Sequence, residues 1–296
     1  MEAKKVFSRI GIGLIIIIIM GIIVSGIGAA IIPEAKITES IRLAMMYIGF
    51  YILGLPIFLL LLRKAPCVEV EAKVKFSVIK LLKLCIIGIA GMYLINLINS
   101  GIMFMFTKTD GNAVSELLSN MDIYSVAILV VIVAPIMEEL LFRKILYKVL
   151  GGYGKKFFII SSAFIFGLFH MNLGQALYAS FLGLILAWVY VEGGNLWDVI
   201  FMHIFINATG SLFPMIVMSS ENEIAAAIFG LWFLFVIISG IIMSINIIKK
   251  YKKSEKPLIS DEIEEPKKIT ELFKSIGMLV YIVVCVLMII MSIVVL

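Results

Sequence analysis

The sequence predicts an all-α protein, a polytopic transmembrane bundle of about eight or nine membrane segments. Three observations carry that expectation. Of 296 residues, 62% are hydrophobic and only 15% are charged, whereas a soluble globular domain is ~25% charged. Apolar stretches of about 20 residues recur along the chain, each long enough to cross ~30 Å of hydrocarbon as a helix. Most charged residues fall in the breaks between those stretches. The net charge of +5 therefore reads as basic flanks of membrane helices rather than a nucleic-acid surface. Membrane lipid is the expected partner, and no nucleic acid is expected.

In order, the apolar segments lie near 10–32, 41–62, 84–106, 123–150, 157–170, 175–191, 196–218, 224–248 and 275–295, with 157–170 and 175–191 short. The first follows Lys4, Lys5 and Arg9 like a signal peptide, but it outruns the ~7–15 residues of a signal's apolar region and is expected to stay as an anchor. If all nine cross, 22 of the 25 lysines and arginines lie on one side. That group comprises Lys4, Lys5 and Arg9 and the stretches 63–83, 143–156 and 249–274, against Lys36, Arg42 and Lys108 opposite. The positive-inside rule then gives a multi-pass cell-membrane protein with a cytoplasmic N-terminus.

The loop at Gly193 and Gly194 fits that orientation least, since it holds Glu192 and Asp198 and no positive charge. Trp188, Tyr190 and Trp197 around it suit an interfacial aromatic belt, with packing between helices as the alternative. Residues 249–274, charged and broken by prolines, read as a cytosolic linker. Cys67, Cys85 and Cys285 are isolated and odd in number, so no disulfide framework is indicated and they read as small apolar fillers.

Polar residues inside apolar segments are few. The fourth segment, AILVVIVAPIMEELLFRKIL, sets Glu138, Glu139 and Arg143 directly after an apolar run. A charge at a helix centre costs about 2.5–3.5 kcal/mol on insertion scales, so adjacent acids need partners or a task. Glu139 and Arg143 are four apart and share a helix face, where they can pair. Glu138 is about 100° around, clear of the arginine, and is available as a general base. Pro135, about one turn earlier, removes a backbone donor and can kink the helix. The alternative is that the two acids merely sit at the cytoplasmic interface.

Both histidines of the chain also lie in apolar sequence. His170 ends AFIFGLFH and shares a face with Phe166. His203 and Asn207, four apart in HIFIN, present an imidazole and a carboxamide on one face and could donate two hydrogen bonds to an oxyanion. A packed structural role remains open for either histidine.

EELLFR at 138–143, FGLFH at 166–170 and HIFIN at 203–207, in that order, resemble the EExxxR, FxxxH and HxxxN motifs of the CAAX prenyl protease type II family. That family includes bacterial members associated with bacteriocin processing and self-immunity. The resemblance divides the chain into N-terminal segments 1–119, a catalytic core 120–215, and C-terminal segments 216–296 containing the linker 249–274. It implies a membrane endopeptidase in which Glu138 and His170 activate a water. His203 and Asn207 would stabilise the oxyanion, and Glu139 and Arg143 would orient the site. The implied substrate is a peptide or protein, prenylated and CAAX-like or a small secreted peptide.

No cofactor is expected. Glu138, His170 and His203 are a set that could hold Zn2+, but HExxH is absent and carboxamides are poor zinc ligands. No GxSG motif or intramembrane aspartate pair suggests a serine or aspartyl mechanism, because Asp110, Asp122 and Asp198 fall at loops or segment edges. Two other functions stay open at this point: an ion-coupled transporter using the buried acids and histidines, and a non-catalytic immunity or peptide-binding protein.

Overall fold

The computed structural model describes residues 2–71, 74–107, 113–254 and 265–295, and those residues form helices without a strand. Among the described residues, eight helices are long and apolar enough to cross a membrane. They are α1 (Ala3–Ile31), α2 (Glu39–Leu62), α3 (Val78–Thr107), α5 (Ile123–Tyr153), α7 (Leu173–Gly193), α8 (Leu196–Ser219), α9 (Glu223–Ser254) and α11 (Ile276–Val295). Between them lie α4 (Ala113–Ser119), α6 (Lys155–Phe169) and α10 (Glu265–Phe273). The expected segment near 157–170 is α6, whose 15 residues span only about 22 Å at 1.5 Å per residue. Helix α1 starts earlier than its apolar run. Val6 and Phe7 are fully buried, Phe7 packs on Tyr153 and Phe157, and the Arg9 guanidinium donates to the Leu61 carbonyl at 3.3 Å.

The bundle has two distinguishable faces. On one, the loop after α2 pairs with the end of α5 through Val68 N–H to Lys148 O (2.8 Å) and Lys148 Nζ to Glu69 (2.9 Å). The start of α6 meets the end of α7 through Lys155 and Glu192 at 3.3 Å, and Val74 N–H donates to Glu192 O. Most of the chain's described lysines and arginines flank this basic face. Glu192, out of place by charge counting, is thus a lysine's partner. On the opposite face Ser40 donates to Asp122 (3.1 Å), tying the starts of α2 and α5. Hydrogen bonds from Ser125, then Ser40, hold the Asp122 carboxyl below its ordinary range.

Three long helices change from π to α winding just before a proline. The π turns 48–54, 126–133 and 208–212 are each followed by an α segment with proline second: Pro56, Pro135 and Pro214. Proline has no N–H for the i→i−4 bond, and its ring crowds the carbonyl one turn back; a wider turn relieves both. The kink anticipated at Pro135 is therefore a change of winding. A fourth π stretch, 140–145, follows Glu139 without a proline.

Helices α1 and α11 pack backbone to backbone. A Cβ added at Gly11 would collide with the backbone of Gly277, and one at Gly277 with the Ser8 carbonyl. Small residues permit such close approach where water is absent. Gly277→Leu is expected to cost about 1–3 kcal/mol by overpacking, read as a lowered unfolding midpoint in detergent. Gly230→Leu should be neutral, because nothing lies within 4 Å of a Cβ there.

Several expectations need correction. Cys85 and Cys285 are buried, but Cys67 is exposed and fills no core, because it lies in the loop after α2. Tyr190 is buried and packs on Tyr147, and Trp188 packs on Phe76. Only Trp197, 70% exposed, is free to sit in an interfacial belt. The linker is partly structured: α9 continues to Ser254, and α10 buries Leu272 because its apolar residues fall on one face. Lys108, Asp110 and residues 255–264 of the linker lie outside the described residues.

Candidate active site

Glu138 and Glu139 close the α-helical stretch of α5 that begins at Ala134 with Pro135 second. Adjacent on the helix, they face different surroundings. The Glu139 side chain is fully buried and sealed between two partners, Arg143 Nε at 2.9 Å from its Oε2 and His203 Nδ1 at 2.8 Å from its Oε1. The Glu138 side chain is 13% exposed and reaches a cavity, its Oε2 3.7 Å from His203 Nε2. That is beyond hydrogen-bond distance.

Arg143 is fully buried. Its guanidinium lies 4.7 Å from the centre of the Phe166 ring, a cation–π distance, and donates to Ser162 at 3.3 Å. Ser162 in turn donates to the Phe142 carbonyl. The same Phe166 ring stands edge-on to both imidazoles, with centroids 4.9 Å from His170 and 5.9 Å from His203. One aromatic ring therefore fixes the arginine and both histidines, which makes Phe166 a positioning residue.

The partners define the tautomers. A backbone carbonyl only accepts, so His170 Nδ1, 2.9 Å from Phe166 O, carries the proton, and Nε2 of the neutral ring is the basic atom. Glu139, paired with an arginine, accepts from His203 Nδ1, leaving His203 Nε2 directed toward Glu138. His170 caps the end of α6, and Met171 follows at φ 54, a left-handed conformation that a methionine adopts only when its surroundings impose it. Asn172 completes the turn, accepting from Gln175 N–H (2.8 Å) and donating to the His170 carbonyl (3.2 Å).

Asn207 lies one turn beyond His203, where α8 passes into its π turn. One amide N–H donates to Val130 O at 2.9 Å, which leaves one for another acceptor. The motif residues thus separate into a sealed set, Glu139 and Arg143, and a set lining one cavity: Glu138, His170, His203 and Asn207. The cavity holds about 200 Å³ and is otherwise mostly apolar. Tyr47 and Tyr51 of α2 also line it, as do Gln175 and Tyr178 of α7. Sequence reasoning missed these four. Tyr47 and Tyr51 are four apart, so the i,i+4 spacing of two hydroxyls in an apolar helix was a usable signal.

Among the described residues, no group of three or more His, Cys, Asp and Glu side chains has a geometry suited to holding a metal ion. In the set Glu138, His170 and His203, Nδ1 of each imidazole is engaged by a protein oxygen, which leaves Nε2 as the free ring nitrogen of both, that of His203 3.7 Å from Glu138.

Residues 120–209 match the family described as "Type II CAAX prenyl endopeptidase Rce1-like". The matched segment includes all seven motif residues, Phe166 among them. One curated relative, "Putative membrane peptidase YdiL" of Bacillus subtilis (strain 168), is 36% identical over 77 residues, 26% of this chain and 32% of that protein. The match thus spans about a third of that relative's length. No solved structure matches.

Proposed function

We propose that this chain is an intramembrane endopeptidase whose catalytic centre lies between α5, α6 and α8. The observation that carries the proposal is the division of the adjacent acids. Glu138 reaches the cavity, whereas Glu139 is sealed by Arg143 and His203. The similarity to type II CAAX prenyl endopeptidases and to a membrane peptidase supports the choice of a peptide bond as target.

In this mechanism a water lies between the Glu138 carboxylate and Nε2 of His170. Glu138 takes one of its protons as the oxygen attacks the peptide carbonyl carbon, with His170 holding the water by its lone pair. The carbonyl oxygen becomes an oxyanion and accepts from the free N–H of Asn207 and from Nε2–H of His203 in its imidazolium form, whose charge the Glu139 carboxylate offsets. The C–N bond then breaks, and the proton on Glu138 passes to the leaving amine. Glu139 and Arg143 hold His203 in the required tautomer and orientation. No metal is assigned a step.

The transporter reading is less well supported. The intramembrane acids and histidines gather at one cavity instead of forming a relay through the bundle. The test is incubation of the purified protein in detergent with prenylated CAAX peptides and small secreted-type peptides, each with and without a chelator, products being read by mass spectrometry. Cleavage of at least one peptide, insensitive to chelator, is expected. Well-folded protein that cleaves none contradicts the proposal, and chelator-sensitive cleavage restored by zinc contradicts the metal-free mechanism.

A further inference from the structure

A peptide in the cavity brings main-chain N–H and C=O groups into mostly apolar surroundings, where each needs a partner. The motif residues act on the scissile bond and leave the groups beside it unmet. Resting on the endopeptidase reading, we propose that the hydroxyls of Tyr51 and Tyr47, on α2, are substrate-binding groups that hydrogen-bond the peptide main chain beside the scissile bond.

Four polar side chains line the cavity besides the motif residues: Tyr47, Tyr51, Gln175 and Tyr178. Two of them are already engaged. Asn172 Nδ2 donates to Gln175 Oε1 at 2.6 Å, and Gln175 is in turn hydrogen-bonded to Tyr178. The other two are open: no side chain or backbone group of the described residues bonds the hydroxyl of Tyr47 or Tyr51. Tyr51 is only 8% exposed, and a tyrosine buried to that degree ordinarily finds a partner, since a hydroxyl taken out of water without one is destabilising. Tyr281, buried on α11, is the ordinary case, its hydroxyl donating to the Ile165 carbonyl at 2.9 Å. Tyr47 and Tyr51 also lie within electrostatic reach of the Glu138 carboxylate, which sets the open hydroxyls near the acid that acts on the water.

The rings are held in place. Tyr51 stands edge-on to Phe50, with centroids 6.0 Å apart, and tilted against Tyr47 at 5.6 Å. Phe50 packs edge-on against Phe169, the residue before His170. The hydroxyl of Tyr51 is thus positioned by an aromatic cluster that runs to the histidine, and little side-chain freedom is left to lose on binding. Tyr51 lies inside the π turn 48–54, as Val130 lies in the turn 126–133 and Asn207 directly precedes the turn 208–212. Such wide turns recur where helices serve a site. A hydroxyl can donate to a carbonyl or accept from an N–H, and the amides flanking the scissile bond gain no charge during the reaction. Hydrogen bonds to them are therefore equally strong in the bound substrate and the transition state, and their loss falls on KM.

Tyr51→Phe removes the hydroxyl and keeps the ring. It is purified beside Tyr47→Phe and wild type and assayed in detergent on a prenylated CAAX or secreted-type peptide that the wild type cleaves, with rates over a concentration series and the unfolding midpoint of each protein. The expected result is a KM raised about 3–10-fold, the scale of one net hydrogen bond, at a kcat within about twofold of wild type. The midpoint stays at or above the wild-type value, because the hydroxyl has no protein partner to lose. Tyr281→Phe is the reference for a structural hydroxyl and lowers the midpoint. Unchanged KM in both cavity variants, or a fall in kcat at unchanged KM, overturns the proposal. So does a midpoint lowered as far as that of Tyr281→Phe, which marks hydroxyls that hold the fold. Tyr47→Phe carries the test if Tyr51→Phe does not accumulate. A wild type that cleaves no peptide contradicts the endopeptidase reading itself, whereas cleavage with KM unchanged in the variants contradicts this inference alone.

Discussion

Arg143→Leu is expected to lower the unfolding free energy by about 3–5 kcal/mol, the range found when one partner of a buried ion pair is removed. The side chains of Arg143 and Glu139 are both fully buried, 2.9 Å apart. Without the guanidinium, the Glu139 carboxylate keeps only the imidazole of His203 (2.8 Å) in a medium that solvates charge poorly. The paired change Glu139→Leu/Arg143→Leu should cost less than the single one, because no charge is then stranded. Thermal unfolding in one detergent, followed for both variants and wild type, checks this. A loss below about 1 kcal/mol for the single variant, as at an exposed pair, would mean that the ion pair is not sealed.

His170→Gln is expected to cut kcat by about 10²–10⁴-fold, the usual scale of general acid–base catalysis, because Glu138 then acts on a water the imidazole no longer holds, with KM little changed. Glutamine keeps a polar atom at similar reach but offers an amide where the imidazole has a lone pair. The argument rests on the Nδ1 contact with Phe166 O at 2.9 Å, which leaves Nε2 as the basic atom. Initial rates over a substrate series decide between roles. A rise in KM at unchanged kcat would make His170 a substrate-binding residue and remove it from the positioning of the water.

The all-α bundle was legible because bilayer thickness imposes helix length, and hydropathy records it. The pairing of Glu139 with Arg143 and the contact of Phe166 with His170 were legible as well, since both follow from i,i+4 geometry within one helix. The hydrogen bond of His203 to Glu139 was not, because it joins α8 to α5 across 64 positions. Nor was the contribution of α2, since Tyr47 and Tyr51 meet Glu138 only through packing. Pro56, Pro135 and Pro214 were visible, but their effect is a π turn on the N-terminal side, and hydropathy carries no trace of winding. The short α6 read as a weak span because composition could not tell that a site ends it.

The central claim is that Glu138 and not Glu139 is the base. Its most direct test is Glu138→Gln, assayed in detergent against any peptide the wild type cleaves, with product measured by mass spectrometry and folding checked by unfolding midpoint. The predicted result is a kcat lowered by about 10²–10⁴-fold at an unchanged midpoint, because Glu138 makes no close ion pair. Cleavage near the wild-type rate by folded Glu138→Gln protein would contradict the account.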